Sequence, residues 1–288
     1  MELTNINEIK ALLSRHGFHF SKALGQNFLT AAWVPEDIAE SARVDESFGV
    51  LEIGPGIGCL TAQLAKRAGK VLSVELDKSL RPILAETLAE YENSELLFGD
   101  IMKQDIPALA EEHFPGMRRA VCANLPYNIT SPVLTALISS GCFESITVMI
   151  QREVARRICA GPGNKDYGAF SLFVQWHCEA KMLFDVSPGC FIPQPKVSST
   201  VIRLERRETP PAAVGDEKLM FRIIQAAFNQ RRKTLVNALS SALGLDKSLL
   251  ASVLRDCQIS EQIRGETLDI GTFALISDKI SSFIVKDL

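Results

Sequence analysis

At 288 residues the chain exceeds what one small domain needs, and 47% apolar with 23% charged residues is the make-up of a globular protein. A net charge of −3 and a pI near 5.9 exclude a protein that grips nucleic acid over its whole surface. No apolar run approaches the ~20 residues a membrane span needs, so no membrane partner is expected. From Arg206 onward the balance is +2, which leaves −5 for the remainder, so contact with nucleic acid has to come from local patches. Charged side chains punctuate the first residues, and no secretory signal is legible there. The seven cysteines, Cys59, Cys122, Cys142, Cys159, Cys178, Cys190 and Cys257, are scattered without a CxxC pair. They predict reduced thiols, buried as small apolar residues in a cytoplasmic protein, and no metal framework.

In chain order, "VLEI" (Val50 to Ile53) reads as a buried strand, followed by a glycine turn and a helix through "CLTAQLAKRA". "KVLSVEL" is a second strand, and Lys78 to Tyr91 has helical spacing. "ELLFGD" gives a third strand and "RAVCANL" a fourth, then helical "SPVLTALISS" leads to the strand "ITVMIQ". Repeated strand–helix units predict an α/β fold, a mostly parallel Rossmann-like sheet covered on both faces. Part of "FSLFVQWHCEAKMLFDV" and "VSSTVIRLERR" add two strands without a full helix between them, which predicts an antiparallel hairpin at one edge. "RRETPPAAVGDE" (Arg206 to Glu217) reads as a linker. "KLMFRIIQAAFNQRRKTLVNALSSAL" and "KSLLASVLRDC" have helical periodicity, with Gly244 and Asp246 between them. The chain therefore divides into residues 1–208, the sheet domain, and 209–288, a small all-α domain.

Gly54, Gly56 and Gly58 let the backbone turn sharply after the first strand and approach a ligand, and the next helix aims its N-terminal N–H groups at the same place. A dinucleotide motif would also want glycine where Cys59 stands. The second strand ends at Glu75, placed to accept hydrogen bonds from ribose hydroxyls. The third ends at Asp100 and the fourth at Asn124. Four strands thus deliver a glycine turn, two acids and an amide to the sheet edge where open α/β folds bind ligands.

Asn124-Leu125-Pro126-Tyr127 follows. An adenine amine is a poor nucleophile because its lone pair is delocalised into the ring. The Asn124 oxygen and a backbone carbonyl near Pro126 are suited to accept its two hydrogens and make the nitrogen more electron-rich. Proline removes one N–H from the turn, and Tyr127 offers a ring for the base to stack on. No strong base is required, because the proton can leave after the nitrogen has become cationic.

Together "ALGQNFL" (Ala23 to Leu29), "LEIGPGIGCLT", "VELD", "GDIM", "NLPYNITSP" and "FIPQPKV" resemble the ribosomal RNA adenine dimethyltransferase family over nearly the whole chain. The likeness is greatest to its branch that dimethylates two adjacent adenines near the 3′ end of small-subunit (16S) RNA. It implies a class I methyltransferase that uses S-adenosyl-L-methionine, releases S-adenosyl-L-homocysteine and needs no metal. It implies cofactor contacts from Asn27, Leu29, Gly54, Gly56, Glu75, Leu76, Asp100, Ile101 and Asn124, the first two in an N-terminal segment that covers the cofactor. Catalytic residues would be Asn124, Leu125, Pro126 and Tyr127, with Phe191 on the opposite side of the base from Tyr127.

Arg231, Arg232 and Lys233 fall within one turn of a helical pattern, and Arg152 and Arg156 share a helix face, which points to RNA phosphates. The partner implied is 16S RNA within the small subunit or its precursor, and a monomer suffices. Two other readings stay open. One is methylation of large-subunit (23S) RNA, as in relatives that confer macrolide resistance. The other is an assembly or nucleic-acid-docking factor without turnover, which an eroded glycine turn or "NLPY" would have favoured.

Overall fold

The computed structural model describes residues 1–21 and 25–284. Ala23 and Leu24 of the first quoted motif lie outside the described residues. The elements in chain order are α1 (Ile6–Arg15), β1 (Phe28–Leu29), α2 (Trp33–Ser41), β2 (Phe48–Ile53), α3 (Cys59–Ala65), β3 (Lys70–Glu75), α4 (Arg81–Thr87), β4 (Ser94–Phe98), α5 (Ile106–His113), β5 (Arg118–Asn124), α6 (Thr130–Ser140) and β6 (Ser145–Gln151). They continue with α7 (Arg152–Cys159), α8 (Ala169–His177), β7 (Cys178–Val186), β8 (Phe191–Ile192), β9 (Ser199–Arg206), α9 (Glu217–Asn229), α10 (Leu235–Leu243), α11 (Lys247–Asp256) and α12 (Ile270–Ile284).

A seven-stranded sheet has the order β4-β3-β2-β5-β6-β9-β7, parallel from β4 to β6, with β9 antiparallel to β6. Every residue of β2 is buried, as a central strand covered on both faces requires. After β4 the chain crosses to the other side of β2, so the order reverses between β2 and β5. A crevice opens at such a switch point, beyond the carboxyl ends of the strands. β1 and β8 form a separate two-stranded sheet that pairs Leu29 with Phe191. Val34 and Ile38 of α2 pack with Leu60 and Leu64 of α3 and with Val50 and Ala120 of the sheet. Ile9, Leu12 and Leu13 of α1 join Ile83 and Leu84 of α4 and Phe28 in another core cluster.

Two compact units result. One comprises Met1–Ala155 and Glu179–Arg206, the other Arg156–Cys178 and Arg207–Leu288. The boundary after 208 is thus only part of the division. Tyr167, Leu172 and Trp176 bury themselves in the core formed by Met220, Ile223, Leu239, Leu254 and Phe273, which draws 156–178 into the helical unit.

Within "FSLFVQWHCEAKMLFDV" the strand is the rear part, β7, and the front is α8. Its aromatic and β-branched content favours strands, but Ser171 caps the helix start by accepting the Gly168 N–H at 3.0 Å. The helical pattern of 218–243 is broken at Gln230, because the Thr234 side chain accepts the Asn237 N–H and starts α10, and the Leu235 N–H bonds Ile263 O at 2.8 Å. Arg231, Arg232 and Lys233 therefore sit in a turn between helices. α1, α2, α5 and α12 had no counterpart in the sequence reading.

Candidate active site

The turn after β2 holds Gly54, Gly56 and Gly58 at φ +71°, +59° and +89°, a region that side-chain-bearing residues rarely adopt. A Cβ on Gly56 would also meet the Phe28 ring at 3.2 Å. The register sets Ile53 of β2 beside Val74 of β3, and Glu75 beside Phe98 of β4, so Glu75 and Asp100 emerge at the same sheet edge. One Glu75 oxygen accepts the Asp77 N–H at 2.8 Å and the other the Gly56 N–H at 3.4 Å, which ties the acid to the glycine turn. Burial pushes the Glu75 carboxyl above its ordinary range, against the lowering effect of those N–H donors. Asp100 accepts the Met102 N–H at 3.0 Å and so caps the short 3-10 turn containing Ile101.

Asn124 ends β5 beside Met149 of β6, and the Leu125 N–H bonds Met149 O at 3.1 Å. The Pro126 carbonyl accepts two donors, the Ile129 N–H at 3.2 Å and Thr130 Oγ1 at 3.1 Å. Tyr127 is half-buried, and its hydroxyl lies 2.7 Å from Ser199 Oγ at the start of β9. Burial pushes its phenol above the ordinary value, so the group stays neutral at working pH.

All the residues named from sequence for cofactor and catalysis line one cleft: Asn27, Leu29, Gly54, Gly56, Glu75, Leu76, Asp100, Ile101, Asn124, Leu125, Pro126, Tyr127 and Phe191. Its empty space is about 1110 Å³, open solvent at the mouth included. Asn27 is steadied by its Nδ2 donating to Gly25 O at 2.9 Å. The sequence reading missed Gln26 and Glu52, which also line the cleft. Gln26 donates to Asp77 Oδ2 at 2.7 Å and accepts the Ser21 N–H at 2.9 Å. Glu52 had a visible signal, a carboxylate within an apolar strand. Its Oε2 accepts Thr61 Oγ1 at 2.6 Å and Ser73 Oγ at 2.7 Å.

The basic candidates lie outside this lining. Arg152 pairs with Asp185 at 3.2 Å, and Arg156 is exposed in the other unit. Arg231 pairs with Glu266 and donates to Lys165 O at 2.9 Å and Asn164 O at 3.2 Å, while Arg232 and Lys233 are exposed. Among the described residues no group of His, Cys, Asp and Glu is arranged to hold a metal. No described helix is long and apolar enough to cross a membrane. All seven cysteines are free thiols; Cys59, Cys122 and Cys178 are buried and the other four half-buried.

The sheet with its switch point, the glycine turn and the acids ending β3 and β4 define a Rossmann-like class I methyltransferase. The chain belongs to the ribosomal RNA adenine dimethylase family, whose pattern matches residues 17–279, and it is a methyltransferase enzyme. The ribosomal RNA small subunit methyltransferase A of Alkaliphilus oremlandii is 46% identical over 281 residues, 97% of this chain and 98% of its own. A dimethyladenosine transferase from Plasmodium falciparum superposes with a TM-score of 0.74 at 25% identity, over 90% of this chain and 98% of its own. The 23S rRNA methyltransferase ErmE superposes with a TM-score of 0.68 at 24% identity, over 88% of this chain and 99% of its own, a likeness of fold alone.

Proposed function

We propose that this enzyme dimethylates the exocyclic amines of two adjacent adenines near the 3′ end of 16S RNA, in the small ribosomal subunit or its precursor, and so contributes to ribosome biogenesis. The carrying observation is that the Asn124–Tyr127 turn and Phe191 share one cleft with Gly54, Glu75 and Asp100. The near-full-length likeness to a small-subunit methyltransferase supports the choice of RNA.

The cleft suits S-adenosyl-L-methionine. The glycine turn is a cradle without side chains, and Glu75 keeps lone pairs for ribose hydroxyls after accepting two N–H donors. Asn27, Leu29, Leu76, Asp100 and Ile101 would complete its walls. When bound, this cofactor supplies an activated methyl on a sulfonium and leaves as S-adenosyl-L-homocysteine.

Asn124 Oδ1 accepts one amine hydrogen of the target adenine. Because the Pro126 carbonyl is already taken by Ile129 and Thr130, the second acceptor is the Leu125 carbonyl. Tyr127 and Phe191 hold the extruded base between them. The neutral Tyr127 phenol is not a base, and the proton leaves to water once the nitrogen is cationic. Each adenine takes two methyl groups in successive transfers.

The helical unit with its 156–178 segment carries 14 basic against 11 acidic residues, in a chain whose net charge is −3. That balance supports RNA contact through Arg156, Arg232 and Lys233. Arg231 organises the turn that carries Arg232 and Lys233, and Arg152 contributes from the sheet unit. The enzyme acts as a cytoplasmic monomer, with the N-terminal segment covering the cofactor.

Substitution separates the two ends of the cleft. Asn124→Ala should lower single-turnover transfer at least about a hundredfold, while the cofactor still binds by calorimetry with at most a modest loss of affinity. Glu75→Ala should do the reverse, weakening cofactor binding and sparing turnover at saturation. Near-normal turnover of Asn124→Ala would overturn the mechanism.

A further inference from the structure

We propose that Ser199 is a positioning residue for this reaction, holding the Tyr127 ring in the plane on which the target base stacks. The inference rests on the reading of Tyr127 as the stacking platform.

The backbone of the catalytic turn is already fixed by the Leu125 N–H on Met149 O and by the two donors on Pro126 O. None of these bonds restrains rotation of the Tyr127 ring about its own side-chain torsions. The 2.7 Å contact between the Tyr127 hydroxyl and Ser199 Oγ does. It is a long-range bond, from the loop after β5 to β9 on the far side of β6.

Its anchor is rigid. Ser199 is fully buried and lies opposite Gln151 in the antiparallel β6–β9 ladder. The residues on either side are braced as well. Thr200 Oγ1 donates to Asp185 Oδ1 at 2.6 Å, Asp185 pairs with Arg152, and the Arg152 N–H bonds Ser198 O at 3.0 Å. Phe191, the other wall of the base slot, is set separately, by the pairing of β8 with β1.

The test is a double-mutant cycle of Ser199→Ala, Tyr127→Phe and the pair, read as kcat, KM for small-subunit particles, and cofactor affinity. Each single variant should lower kcat about tenfold with cofactor affinity unchanged. The double variant should be no worse than either, and Ser199→Thr should recover most of the loss. Additive losses, or a Ser199→Ala effect that persists undiminished in the Tyr127→Phe background, overturn the proposal. Should Ser199→Ala fail to fold, Tyr127→Phe alone decides, because normal kcat there leaves the tether no role. Failure of the wild-type enzyme on small-subunit particles would instead refute the substrate reading, and the cycle is then read on whichever RNA it methylates.

Discussion

Glu52 and Glu75 stand on neighbouring parallel strands beside one cleft, and burial drives both carboxyls upward. Glu52 moves furthest, from 4.5 to about 7, with desolvation outweighing the lowering effect of the Thr61 and Ser73 hydroxyls and Glu75 adding a little repulsion. Its folded value lies above its unfolded one, so the folded chain holds this proton more tightly. The stability it contributes is complete below pH 4.5 and fades as pH rises through about 7, a loss on the order of 3 kcal/mol. Glu52→Gln should therefore flatten the fall in thermal stability between about pH 5 and pH 8; a slope matching the wild type would contradict the assignment. The strand-end residues Glu75, Asp100 and Asn124 were legible because apolar runs stop at them. Ser199 was not, because Tyr127 lies 72 positions away in the chain and no local pattern records that pairing.

Elements read well where burial is continuous. The parallel strands stand out as short apolar runs, and their alternation with helices made the sheet legible as mostly parallel, although not its strand order. What failed was the reading of elements whose ends are set by capping rather than by periodicity. The apolar pattern of 218–243 runs on through Gln230, and only the Thr234 cap and the bond from Leu235 to Ile263 break it. A comparable capping contact holds α2 against the sheet unit. Arg203 on β9 donates from one Nη1 to the Ser41 and Ala42 carbonyls, both at 2.7 Å, at the negative end of that helix. Arg203→Ala leaves those carbonyls unpaired in a largely buried place and should cost about 2 kcal/mol of unfolding free energy. Denaturant titration checks this, and a change within error of zero would show the contact to be idle.

At the scale of the whole molecule, the division into units is discontinuous in sequence. Tyr167, Leu172 and Trp176 lie before the linker yet bury in the helical core beyond it. The linker at 206–217 was visible from its prolines and polar residues, whereas this recruitment depends on contacts across some forty or more positions of chain. A chain ended after residue 208 should expose these large side chains, melt at lower temperature than the full chain and self-associate. A monomeric fragment with an unchanged melting temperature would contradict the division.

The central claim, that this cleft dimethylates adenine in small-subunit RNA, is tested most directly by labelled methyl transfer to purified undermethylated small and large ribosomal subunits. The modified nucleosides are identified and their positions mapped. The account predicts dimethyladenosine at two adjacent adenines near the 3′ end of 16S RNA and no label in the large subunit. Label confined to the large subunit, or a different modified nucleoside, would contradict it.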